Sequence, residues 1–165
     1  MVTRREAREW AVQLLFQLDV NDVQKDTHAE AFERFWSGEY WKLNKAAVGT
    51  KAEQEAEALK AKKPDKRARA FTEELVLGVR SNLAEIDKLL AGLATNWNIR
   101  RMGVVDRNVL RLSIFEMLHR PDIPPAVSIN EAIDLAKYFS NEESGRFVNG
   151  ILDKAKVEIG KLRKG

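Results

Sequence analysis

Between Val104 and His119, apolar side chains take up much of a helical circumference: Val105, Val109, Leu110, Leu112, Ile114, Phe115, Met117 and Leu118. A helix that meets solvent along one side shows a single apolar stripe. This segment instead needs neighbours on several sides, so the rest of the chain has to supply helices that enclose it. Pro121, Pro124 and Pro125 exclude a helix that runs on without interruption.

The required neighbours are legible as stripes. Ala7, Trp10, Ala11, Leu14, Leu15 and Leu18 share one face of a helix from Thr3 to about Asp19. Lys25 to about Leu43 carries Phe32, Phe35, Trp36, Tyr40 and Trp41. Asp65 to Leu90 reads as one helix with Ala68, Phe71, Leu75, Val79, Leu83, Ile86 and Leu90 in line, and Gly78 allows a close helix contact. Ser128-Ile-Asn-Glu131 and Ser140-Asn-Glu-Glu143 have capping-box spacing and predict two more helix starts. No segment sustains period-two alternation. The expected fold is therefore all-α, with about seven helices in two packed subdomains near residues 1–99 and 100–165, all within one domain. The Ala46–Lys63 stretch has almost no large apolar side chain and adds little to a core; it reads as an exposed helix or a mobile connection, and its basic continuation Lys60–Arg69 either extends an RNA footprint or, the reading we favour, belongs to a soluble helix.

A chain of 165 residues buries about 70% of its extended surface, enough for one core. The absence of cysteine excludes disulfides and thiolate chemistry. The two histidines, His28 and His119, stand in no metal-ligand array, and no phosphate-cradling glycine loop or dinucleotide fingerprint occurs. No enzyme activity, metal or cofactor is expected. Mean hydropathy is -0.40, and no apolar run is long enough to span a bilayer, so a cytoplasmic protein without a membrane partner is expected.

A net charge of +3 does not by itself imply nucleic acid. Its distribution says more, because Lys60–Arg69 and Lys154–Gly165 are basic and the first helix opens Arg4-Arg5-Glu6-Ala7-Arg8. A helical wheel sets Arg5, Arg8 and Val12 on a flank beside Phe16 and away from the leucine face. Arginines there would donate to phosphates, Gln13 could contact a base or a partner, and Phe16 could stack on an unstacked base. A solvated arginine-rich helix with Phe16 in the core fits equally well. Glu116, near the apolar face of the central helix, reads as a partly buried carboxylate tying helices together. Arg107 and Arg111 lie four apart on a more polar flank.

The order of motifs resembles the NusB family of transcription antitermination factors. The residues that carry the resemblance are Arg4-Arg5-Glu-Ala-Arg8-Glu-Trp-Ala-Val-Gln-Leu-Leu-Phe16, Asp106-Arg-Asn-Val-Leu-Arg-Leu-Ser-Ile-Phe-Glu-Met117, Val127-Ser-Ile-Asn-Glu-Ala-Ile-Asp-Leu-Ala-Lys137 and Arg146-Phe-Val-Asn-Gly-Ile-Leu-Asp-Lys154. Together they span most of residues 3–20 and 70–156. The resemblance implies a noncatalytic adaptor that binds boxA RNA and a NusE-like small-ribosomal-subunit protein within an RNA polymerase antitermination complex. Carried over residue by residue, it assigns RNA contact to Arg4, Arg5, Arg8, Phe16, Glu143, Arg146 and Phe147. It assigns protein-partner contact to Asp106, Arg107 and Arg111. Relatives vary in self-association, so a homodimer belongs among the expected partners. The alternative is a generic RNA-binding or homo-oligomeric helical module, similar to the accessory module of RNA cytosine methyltransferases.

Overall fold

A computed structural model of the chain describes residues 3–21, 28–37, 66–94 and 98–164. The expectations for Ala46–Lys63, for most of Lys60–Arg69 and for Tyr40 and Trp41 lie outside these residues. Seven α-helices are present among the described residues: α1 (Arg4–Val20), α2 (His28–Trp36), α3 (Lys66–Ser81), α4 (Leu83–Leu93), α5 (Val104–His119), α6 (Pro125–Phe139) and α7 (Glu142–Lys164), with a short 3-10 turn at Ile99–Arg101. The expected all-α class is borne out. The described residues contain no helix long and apolar enough to cross a membrane.

The chain divides into two compact units, Met1–Glu74 and Leu75–Gly165, with the division inside α3. In the first unit, α1 begins at a capping box. Glu6 N–H donates to Thr3 Oγ1 at 3.2 Å, and Thr3 N–H donates to Glu6 Oε2 at 3.1 Å. Glu6, which interrupts the arginine run in the sequence, is thus the acid that starts the helix. Trp10 meets Trp36 edge-on at 5.6 Å, Trp36 Nε1 donates to Glu73 Oε1 at 2.9 Å, and the buried Thr72 hydroxyl donates to Ala7 O at 3.2 Å. The aromatic rings supply apolar area, and the Trp36 indole and the Thr72 hydroxyl each have a partner.

In the second unit α5 is the core helix, with every residue from Asn108 to Met117 buried and α4, α6 and α7 packed on it. Glu116 is 1% exposed, which suits the reading of a carboxylate inside the helix packing. Gly78 faces the Phe115 ring so closely that a Cβ would overlap it, as the sequence predicts for a close helix contact.

The observed helix starts and stops differ from the expected ones in three places. The single helix expected over Asp65–Leu90 breaks at Asn82, whose Nδ2 donates to Gly78 O at 2.8 Å and takes over a helix-end carbonyl. The helix expected to start at Ser128 starts a turn earlier, behind Pro124, because proline at the first helical position sacrifices only a donor that has no partner there anyway. Ser128 is consequently interior, 1% exposed, and its hydroxyl has no hydrogen-bond partner. At the last helix the cap is Asn141 rather than Ser140, with Asn141 Oδ1 accepting from Ser144 N–H at 2.8 Å.

Candidate nucleic-acid interface

The residues expected to bind RNA fall in both units, and each group is taken within its own. On α1, Arg4 and Arg5 are exposed and Phe16 is half-buried. Arg4 places its guanidinium 5.2 Å from the centre of the Phe71 ring, a cation–π distance that steadies the side chain without removing it from solvent. Arg8 departs from the helical-wheel reading: it is only 3% exposed and so is not displayed on the surface with Arg5. Gln13 is 4% exposed, and neither its Oε1 nor its Nε2 has a hydrogen-bond partner. A buried amide in that state is costly unless a donor and an acceptor reach it.

In the second unit, the start of α5 and the start of α7 together form a pocket of about 200 Å³. Asp106, Glu143 and Phe147 all line it, with Met102, Asn141 and Ser144. Residues assigned by resemblance to a protein face and to an RNA face therefore share one cavity. Phe147 is half-buried, Glu143 is exposed, and Arg146, next to Phe147 in the chain, is exposed.

Asp106 is the chemically distinctive group here. Its Oδ2 is 3.4 Å from Ser144 Oγ, which is itself 2.9 Å from Ser140 Oγ. Ser144 has one hydroxyl proton, so its donation to Asp106 is compatible with Ser140 donating to Ser144 in turn. Asp106 Oδ1 is buried with no hydrogen-bond partner. Burial pushes the Asp106 carboxyl above the usual aspartate range, and the Ser144 hydrogen bond opposes that rise. Asp106, which lines the pocket with Phe147, thus keeps one buried acceptor oxygen in want of a donor.

Arg107 and Arg111 lie on a different side of α5, where a recess of about 380 Å³ is lined by Asp87, Asn98, Ile99, Arg100, Arg107 and Arg111. Arg107 Nη1 donates to Ile99 O at 3.1 Å and so ties the 3-10 turn to α5. Arg111 is 6% exposed and grips Asp87 in a fork, Nε to Oδ1 at 2.8 Å and Nη2 to Oδ2 at 2.9 Å. Its charge is engaged within the unit, and that leaves Arg107 as the more accessible of the two. Sequence reasoning missed Ser140, Asn141 and Ser144 as site-formers. The signal was present as asparagine three residues before Ser144, which is also a helix-start spacing.

The NusB family model matches residues 5–156. The transcription antitermination protein NusB of Myxococcus xanthus is 45% identical over 161 residues, covering 98% of this chain and 99% of that relative. That of a Geobacter species is 42% identical over 154 residues, with 93% of each chain covered. Among solved structures, T. maritima NusB superposes with a TM-score of 0.70 at 32% identity, covering 95% of this chain and 92% of that one. A complex of the antitermination factors NusB and NusE with double-stranded RNA matches in fold, with a TM-score of 0.69 at 24% identity and coverage of 94% and 96%.

Proposed function

This chain belongs to the NusB family of transcription antitermination proteins, and from that premise we propose that it binds boxA-containing single-stranded RNA together with a NusE-like small-ribosomal-subunit protein to support processive ribosomal RNA transcription. Family membership makes it an RNA-binding adaptor of antitermination and not an enzyme. The observation that carries the finer reading is the joint pocket of Asp106, Glu143 and Phe147.

In this reading Phe147 stacks on a splayed base, and the Asp106 carboxylate, which lines the same pocket, accepts from an N–H on that base's edge. Two carboxylates repel a phosphate, so the pocket favours base edges that present donors. Arg146, next to Phe147 in the chain, supplies a phosphate contact that holds the strand in register, and Arg4 and Arg5 supply phosphate contacts on α1 within their own unit. Phe16 adds a second stacking surface on α1. Arg8 and Arg111 serve these surfaces from within, as buried supports.

The NusE-like protein would meet the chain at the start of α5, where Arg107 faces one recess and Asp106 the other. Neighbouring positions on a single helix turn give RNA and protein a common element to order. Each ligand then lowers the cost of binding the other, and the coupling is reciprocal. Assembly on RNA polymerase requires no covalent step.

The test is a titration of boxA RNA, its shuffled single strand and a duplex of the same length, each with and without the NusE-like protein. Preference for single-stranded boxA, enhanced by the protein, is the expected result. Equal binding of all three RNAs, with no enhancement, assigns the chain to the generic basic-module alternative.

A further inference from the structure

Within the basic stretch Lys60–Arg69, Lys66, Arg67 and Arg69 stand in the first turn of α3, and all three are exposed. That turn contains no acid. Cations at the end of a helix where backbone N–H groups converge oppose the helix dipole, so the arrangement costs stability in the unbound protein. An anion held there is attracted by the side chains and by the helix end together.

Contacts within the first unit set this turn beside α1. Thr72 Oγ1 donates to Ala7 O at 3.2 Å, and the Arg4 guanidinium lies over the Phe71 ring. Arg67 precedes Phe71 by four residues and so shares the flank of α3 that Arg4 meets. On the opposite flank Arg69 lies over the Trp36 ring, 5.3 Å from its centre, and Lys66 falls between Arg67 and Arg69 around the helix.

The acids nearby are committed elsewhere. Glu6 closes the α1 capping box, Glu73 accepts from the Trp36 indole, and Glu9 and Glu74 have partners of their own. Arg4, Lys66, Arg67 and Arg69 make no ion pair among the described residues. Glu73 and Glu74 stand a turn further along α3, which leaves its start cationic.

We infer that Lys66, Arg67 and Arg69 carry the phosphate track of α1 onward and bind the backbone of single-stranded RNA adjoining the boxA sequence, without reading that RNA's sequence. The inference rests on the RNA reading above and extends its footprint. A strand offers phosphates in a row, which suits cations spread over adjoining helix starts. A guanidinium laid on an aromatic ring also keeps its outer face for a stacked base of any kind. An acidic protein fits less well, because none of the large apolar side chains left exposed belongs to the first turn of α1 or of α3, and a partner would find no apolar anchor.

The experiment measures fluorescence anisotropy of the full chain, over a range of salt, with boxA RNA alone and with boxA extended by about six nucleotides on its 5′ or 3′ side in two flank sequences. On one side the flank should steepen the log–log salt slope by about 2, three contacts at about 0.7 each, whatever its sequence. Lys66→Gln/Arg67→Gln/Arg69→Gln should lose that increment while binding unextended boxA as the parent does. The charge-keeping variant Lys66→Arg/Arg67→Lys/Arg69→Lys should retain it, which separates charge from any loss of fold in the glutamine variant. An increment missing on both sides, present for one flank sequence only, retained in the glutamine variant or lost in the charge-keeping one overturns the inference. A glutamate-rich peptide that binds the parent but not the glutamine variant, with no flank increment, gives the turn to an acidic protein instead. The two readings fail separately: a boxA core that binds no better than its shuffle removes the boxA reading, whereas the flank increment is measured on either core.

Discussion

Gly78 on α3 lies against the ring of Phe115 on α5, with Phe115 Cε2 2.8 Å from the position a Cβ would occupy and other ring atoms closer still. Phe115 is 5% exposed, so the ring has little room to retreat. Gly78→Ala is expected to lower stability by about 1–3 kcal/mol, the cost of overpacking, despite alanine's better helix propensity. Urea denaturation measures this. Gly78→Ala combined with Phe115→Leu should recover part of the loss; a single variant as stable as the parent would mean that the Phe115 ring yields to the added methyl.

Asp106→Asn isolates the effect of charge. Because burial raises the folded-state pKa of Asp106, the folded protein holds that proton more tightly than the unfolded chain. The group's unfavourable contribution is absent below its unfolded pKa and complete above its raised folded pKa. The variant should therefore gain stability relative to the parent near neutral pH, and the gain should shrink as pH falls through that window. A stability difference that does not change with pH would remove the titration of Asp106 from the account.

Phe147→Leu keeps apolar volume but loses an aromatic face. If one base stacks there, RNA affinity should fall by about 1–3 kcal/mol with fold stability little changed. Fluorescence anisotropy with boxA RNA and thermal melting of the same samples separate the two effects. A large drop in Tm with unaltered RNA affinity would place Phe147 in the packing alone.

Arg5→Gln and Arg8→Ala should behave differently although they stand three residues apart. Arg5 is exposed, and its loss should reduce the log–log salt slope of single-stranded RNA binding by about 0.7. Arg8 is 3% exposed, and its truncation should show first as lost stability. Equal salt slopes and equal Tm values for the two variants would contradict the difference in their burial.

Arg111→Met removes one side of the fork to Asp87. With Asp87 partly open to water, the expected loss is about 1–3 kcal/mol, below that of a fully buried pair. RNA affinity of the folded fraction should not change, because the fork lies on the recess side of α5. A selective loss of binding to the NusE-like protein at unchanged stability would instead make Arg111 a contact residue.

Local periodicity determined most of the helices here. The continuous apolar surface of Val104–His119 demands enclosure whatever the surrounding detail, and α5 is the buried helix of its unit. Where the boundaries shifted, the deciding groups were still local: Asn82 capturing a carbonyl, Pro124 and Pro125 nucleating α6 early, and Asn141 capping α7. The family motifs were likewise readable in chain order, since they are strings of side chains and need no coordinates.

The site was different. A helical wheel gives the direction of a side chain but not what lies opposite it, so Arg8 read as displayed although it is buried. Asp106 and Phe147 are far apart in sequence, and no spacing rule joins them. Their shared pocket exists because α5 and α7 pack so that the two helix starts coincide, bringing Ser144 to Asp106 and leaving Oδ1 without a donor. Burial and partnership depend on long-range packing, and for these residues only the tertiary structure could decide them.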